Sequence, residues 1–138
     1  MAVFVKYTSA IDHIVKAANL GTDTFKVALA TTVNAADTTF TAGTSDLATG
    51  NGYTAGGNSA TVSSATTTAG TFSLTLANPA TWTASGAGLT FRYAILYNAT
   101  GNVPYGYYDY GSSLTLNGAN AETFTVTFSG AALTATMA

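Results

Sequence analysis

The sequence predicts an all-β protein: an antiparallel β-sandwich or barrel of about eight to nine short strands, with one short N-terminal helix. Three observations carry this. Short stretches with apolar side chains at alternate positions recur along the chain. Glycine-, asparagine- and threonine-rich turn signals separate them at intervals of roughly 8–12 residues. Only one segment, near the N-terminus, shows apolar residues at helical period. The 138 residues are expected to form a single domain, 1–138, with 1–21 as an N-terminal arm or helix.

The helical segment is "YTSAIDHIVKAANLG". Thr8 or Ser9 can cap its N-terminus, and Asp12 meets the positive end of the helix dipole. Asp12 and Lys16 have the favourable i,i+4 spacing. Ile11, Ile14, Val15 and Ala18 form one apolar face, which places His13 on the opposite, solvated side, and Gly21 ends the helix.

After Gly21 every element reads as β. In Thr24–Ala30, Phe25, Val27 and Leu29 point inward and Lys26 outward. Thr38–Gly43 is a weaker strand, and the glycine-dense Gly43–Gly57 is a loop in which Asn51-Gly52 and Gly56-Gly57 take positive φ. "NSATVSSAT" and "TFSLTLA" form a hairpin across "TTAG", with Phe72, Leu74 and Leu76 on one face. "TWTA" follows the break at Asn78-Pro79. "LTFRYAILYN" is the strongest strand, turning at "NATGN" into "VPYGYYDYG". "SSLTLN", "ETFTVTF" and "AALTATM" supply the last strands.

Composition excludes several function classes. Charged residues make up 7% of the chain, against about 25% in ordinary soluble domains. The surface is instead wetted by Thr, Ser, Asn and Gly. A net charge of −2 without a basic stripe argues against nucleic acid. The absence of cysteine removes disulfides, thiolate chemistry and zinc-finger sites. No secretory signal is evident, and no apolar run approaches the roughly 18 residues of a membrane span; no membrane partner is expected. The carboxylates Asp12, Asp23, Asp37, Asp46, Asp109 and Glu122 are scattered singly, with no calcium loop. Asp46 could hold a cation with loop carbonyls, but its ordinary role is structural. Catalysis would have to use His13 without a G-x-S-x-G elbow. The expectation is a protein that is no enzyme and takes no cofactor or metal. Asn98-Ala99-Thr100 reads as a chance match to a glycosylation acceptor.

The aromatic block offers the one candidate site. Strand alternation sends Phe91, Tyr93, Ile95 and Tyr97 to the core and Arg92, Ala94 and Leu96 to the other face. In the partner strand Tyr105, Tyr107 and Asp109 share one face, and Tyr108 and Tyr110 the other. Three readings fit: cross-strand Tyr packing with an Arg92–Asp109 ion pair or an Arg–Tyr stack, a subunit or lattice interface, or a sugar-binding surface.

Taken in order, "LGTDTFKVAL", "NGYTAGG", "TWTASGAG", "FRYAILYN", "DYGSSLTL" and "ETFTVTF" resemble a pattern of small structural proteins of tailed bacteriophages, from about Phe4 to Phe128. The resemblance implies a virion component, a capsid decoration (cement) protein or related head protein, assembled in the host bacterial cytoplasm and carried on the capsid surface. Its implied partners are the major capsid protein and copies of itself, as a homotrimer. Expected contact residues are Phe4, Lys6 and Ile11 in the N-terminal arm and Arg92, Tyr105, Tyr107, Tyr108 and Asp109 in the aromatic block. The alternative is a tail- or fibre-associated module that recognises a host glycan through Tyr105–Tyr110.

Overall fold

The computed structural model describes residues 2–136. Its elements are β1 (Val3–Lys6), α1 (Ala10–Lys16), β2 (Phe25–Ala30), β3 (Asn58–Ser59), β4 (Val62–Thr68), β5 (Thr71–Leu76), β6 (Trp82–Thr83), β7 (Leu89–Asn98), β8 (Val103–Leu116), β9 (Thr123–Phe124) and β10 (Leu133–Thr136). A five-stranded sheet runs β1-β8-β7-β2-β3, a three-stranded sheet β10-β5-β4, and β6 pairs with β9. All pairings are antiparallel. This is the mostly β, sandwich-like architecture that the alternating stretches predict.

The centre of the larger sheet is buried on both sides, so simple alternation fails there. In β2 both Val27 and Ala28 are inaccessible, and Ala94, Ile95, Leu96 and Tyr97 of β7 are all buried. One side of the smaller sheet contributes Leu74 and Leu76 to the same core. The Gly43–Gly57 loop and the segment before it also pack onto the core. Phe40 stacks on Tyr97 at a centroid distance of 3.8 Å, and Tyr53 is 2% exposed. Burial of each such side chain contributes on the order of 1.5–3 kcal/mol.

Four local expectations are corrected. Thr38–Gly43 forms no strand: the Phe40 amide donates to the Asn102 carbonyl, and the amides of Thr44 and Ser45 both turn back to Thr41 O. "SSLTLN" is not a separate strand but the end of β8. It is joined by a bulge that sets Tyr110–Ser113 opposite Arg92, because Phe91 pairs with Leu114 and Tyr93 with Asp109. "ETFTVTF" keeps only Thr123–Phe124 as strand. The helix ends at Lys16, well before Gly21, and its N-terminal hydroxyls make no cap. Thr8 and Ser9 donate instead to the carbonyls of Ala35 and Asp37.

The segment expected to be an arm is also built into the fold. Val3–Lys6 is an edge strand of the larger sheet, paired residue by residue with Gly106–Asp109. Gly106 makes this possible. The Phe4 ring lies across it, and a Cβ there would come within 2.7 Å of Phe4 Cε1.

Turn chemistry follows expectation. Ala69 and Gly70 both have positive φ (49° and 80°), the backbone of a two-residue hairpin turn joining β4 and β5. Asn51, Gly52, Gly56 and Gly57 all lie at positive φ as well.

Candidate functional site

The helix docks rotated from the face its apolar spacing predicts, keeping Ile14 of that stripe but turning Ile11 and Val15 outward. Ala10, His13 and Ile14, at i, i+3 and i+4, turn toward the sheets, while Ile11 and Val15 stand 58% and 77% exposed. A polar chain explains the choice. His13 Nδ1 lies 2.9 Å from Tyr105 Oη. Asn98, fully buried, donates from Nδ2 to Tyr105 Oη (3.2 Å) and to Asp23 Oδ2 (2.7 Å). Tyr105, accepting from Asn98, has its own proton to give to His13. The contact gives the buried Tyr105 hydroxyl a second partner beside Asn98, and a buried hydroxyl left short of partners is costly. The solvated His13 expected from the sequence is thus half-buried and structural. Asn98 also holds the hairpin turn through its Oδ1, which accepts from the amides of Thr100 and Gly101. An asparagine so committed is no glycosylation acceptor.

The outward turn of α1 opens a groove of about 520 Å³. Its floor is apolar, built from Phe25 and Leu96 of the larger sheet and Leu74 and Leu76 of the smaller one. Ile11, Ile14 and Val15 form one wall, and Phe4 and Lys6 of β1 another. Ala132–Thr136 close the remaining side. Lys6 is the only charged residue in the lining. Among the described residues no carboxylate lies within ion-pair distance of it, since the two ion pairs are Lys16–Asp12 and Arg92–Asp109.

The expected contact residues therefore divide. Phe4, Lys6 and Ile11 meet at the groove. Tyr105 joins them only as buried wall, at 6% exposure, which removes it from any accessible surface. A bulge accounts for this. Leu96 pairs with Gly106 but Tyr97 with Pro104, so Tyr105 is the extra residue and leaves the face of Tyr107 and Asp109. Tyr108 packs on Phe4 at 4.9 Å.

Arg92, Asp109 and Tyr107 lie in a separate half-exposed cluster. The question of what Arg92 faces is answered within the chain: Nε donates to Asp109 Oδ1 (2.8 Å) and Nη2 to Oδ2 (3.0 Å). The guanidinium also stands 5.1 Å from the centroid of the Tyr93 ring, and Tyr93 packs edge-on against Tyr107. Tyr93 is only half-buried, not the core residue that alternation predicts, and it lies beside the bulge opposite Arg92. The Arg92 hydrogen bond holds the Asp109 carboxyl below the usual carboxylate range, helped by the Gly111 amide. A depressed carboxyl stabilises the fold fully above its unfolded pKa and loses that contribution as pH falls through its folded value. The pair is substantially solvated, so the effect is small. Arg92→Ala should leave the protein folded at neutral pH, and its urea midpoint should fall less than the parent's between pH 6 and pH 3. Equal losses in the two proteins would refute the assignment.

The remaining ionisable groups hold loops. Asp46, buried in the glycine-rich loop, accepts from the amides of Gly43 and Gly56 (both 2.6 Å) and from Tyr53 Oη (2.5 Å). Tyr53 Oη in turn accepts from Leu29 N (3.1 Å). Asp46 is thus a structural anchor with its oxygens already engaged. Burial, then the hydrogen bond to Asp46, pushes the Tyr53 hydroxyl well above its ordinary pKa. Burial raises Tyr97 to about 12. Glu122 caps the Asn117 amide. Among the described residues no cluster of His, Cys, Asp or Glu is placed to hold a metal, and no helix is long and apolar enough to cross a membrane.

In comparisons with protein-family models, curated proteins and solved structures, nothing matches this chain.

The groove was legible only in part. Phe4, Lys6 and Ile11 stood out as an apolar segment with cations. The contributions of Leu74, Leu96 and Ala132–Thr136 depend on which strand ends up opposite which, and no local pattern encodes that.

Proposed function

We propose that the protein is a non-enzymatic structural component of a tailed-phage virion: a capsid decoration (cement) protein that stabilises the head by binding capsomers and copies of itself, as a homotrimer. The observation that carries the reading is where apolar surface is left open. The large hydrophobic residues exposed among those described are Val3, Phe4, Ile11 and Val15, all from the first 15 residues. Phe4, Ile11 and Val15 border one groove. Concentrated apolar exposure on a domain whose surface is otherwise Thr-, Ser- and Gly-rich marks an interaction face. The commitment of Asp23, Asp46, Asp109 and Glu122 to hydrogen bonds within the fold supports a role without catalysis. The resemblance in the ordered motifs from Phe4 to Phe128 supplies the virion setting.

A tail- or fibre-associated glycan-binding module draws on the half-exposed Tyr93 and Tyr107 beside Arg92 and Asp109. It has less support, because both Asp109 oxygens already accept from Arg92 and Tyr105 is buried.

The double variant Ile11→Asp/Val15→Asp tests the proposed face. Both positions are exposed, so stability should change by no more than about 0.5 kcal/mol per site. Occupancy on purified capsids should fall by at least tenfold. Undiminished occupancy by a folded variant would remove this face from the interaction.

A further inference from the structure

The groove borders two sheet edges of different kinds. β1 contributes Phe4 and Lys6, alternate residues, so it presents a side-chain face. β10 contributes every residue from Leu133 to Thr136. Side chains of a strand alternate between faces, so an unbroken run in the lining means that the edge of the strand, backbone included, faces the groove. Among the described residues that edge is free: β10 is the terminal strand of its sheet and pairs only with β5. The smaller sheet has three strands against five in the larger one, and the groove runs along the whole of β10. An open edge of this kind is a template for a further strand.

We infer that the groove receives an extended strand from a partner protein, paired along the free edge of β10, with alternate apolar side chains over Phe25, Leu74 and Leu96 and a carboxylate for Lys6. The polarity of the site selects the partner. Residues 1–26 carry Lys6, Lys16 and Lys26 against Asp12 and Asp23, whereas residues 27–138 carry Arg92 against Asp37, Asp46, Asp109 and Glu122. In a chain of net negative charge, the groove lining holds one cation, Lys6, and no acid. Two copies joined groove to groove would bring Lys6 toward Lys6, which disfavours twofold self-pairing at this groove. The inference goes beyond the decoration reading, because the strand's chemistry is set by the groove whichever particle supplies it.

The test is a titration of the full-length, 15N-labelled protein with a synthetic peptide that alternates valine and threonine and carries one glutamate. The amides of Leu133–Thr136 should shift and gain protection from hydrogen exchange. Replacing the peptide's glutamate by lysine should weaken binding by about threefold to fivefold, the range of an exposed ion pair. Lys6→Glu, at an exposed position, should reverse that preference. No response of the β10 amides at millimolar peptide would overturn the inference, as would equal binding of the two peptides. Shifts in β10 that follow protein concentration without peptide would overturn it too, by making a second copy the occupant. None of these readouts depends on where the protein sits in a virion, so each proposal can fail without the other.

Discussion

Asp46→Ala should lower the melting temperature by roughly 10–20 °C, the equivalent of about 3–5 kcal/mol. The carboxylate takes the amides of Gly43 and Gly56 and the Tyr53 hydroxyl, and hydrogen bonds to a charged acceptor contribute about 1.5–3 kcal/mol each. Alanine would strand donors that the loop cannot turn toward water. Tyr53 would lose the group that orients it against Leu29 N, and the loop would lose its hold on the larger sheet. Tyr53→Phe, which removes one donor, should cost about 1–2 kcal/mol. The double variant should cost less than the sum, because the two residues belong to one network. A change below about 3 °C for Asp46→Ala would mean that the loop is not held in this way. Calcium separates the anchor from a cation site: it should not alter the parent's melting temperature if the Asp46 oxygens are engaged as described.

Gly57→Ala should destabilise by about 3 kcal/mol or more. Two costs combine. The residue sits at φ +69°, where L side chains are strained, and a Cβ would press into the β2 backbone, 2.7 Å from Ala28 Cα. That backbone is fixed on both sides by β7 and β3, so it cannot yield as a flexible side chain would. Gly70→Ala is the matched control. Its φ is +80°, but nothing lies within 4 Å of the added atom, so only the conformational cost of about 1 kcal/mol applies. Thermal unfolding of the pair checks both terms. Equal losses at Gly57 and Gly70 would contradict the close approach of loop and strand.

These positions also mark how far the sequence could be read. Strands with clean alternation or tight turns were legible: Phe25–Ala30, the Val62–Leu76 hairpin around Ala69-Gly70, and the start of β7. Local patterns failed where tertiary partners overrode them. Phe40 sits in a segment that alternates like a strand, yet its ring is taken by Tyr97 and its amide by Asn102. The helix stripe Ile11, Ile14, Val15 is amphipathic by spacing, but Ile11 and Val15 turn outward while His13 turns inward to Tyr105, a residue 92 positions away. Bulges at Tyr105 and at Tyr110–Ser113 change which face each tyrosine joins. An inserted residue shifts every later side chain and leaves no signature in composition. The Arg92–Asp109 pair stood among the readings of the aromatic block, but the bulge that places it did not: Asp109 is in register with Tyr93, and Arg92 lies opposite the inserted residues. The groove was legible only at Phe4, Lys6 and Ile11, because its other sides come from segments far apart in the sequence.

The proposed place in a virion head is tested most directly by purifying tailed-phage particles and reconstructing them. If the proposal is right, such particles contain the protein, with density for the domain over capsomer junctions, at threefold positions, and with Phe4, Ile11 and Val15 turned toward a neighbouring subunit. Density confined to the tail, or purified particles that lack the protein, would contradict it.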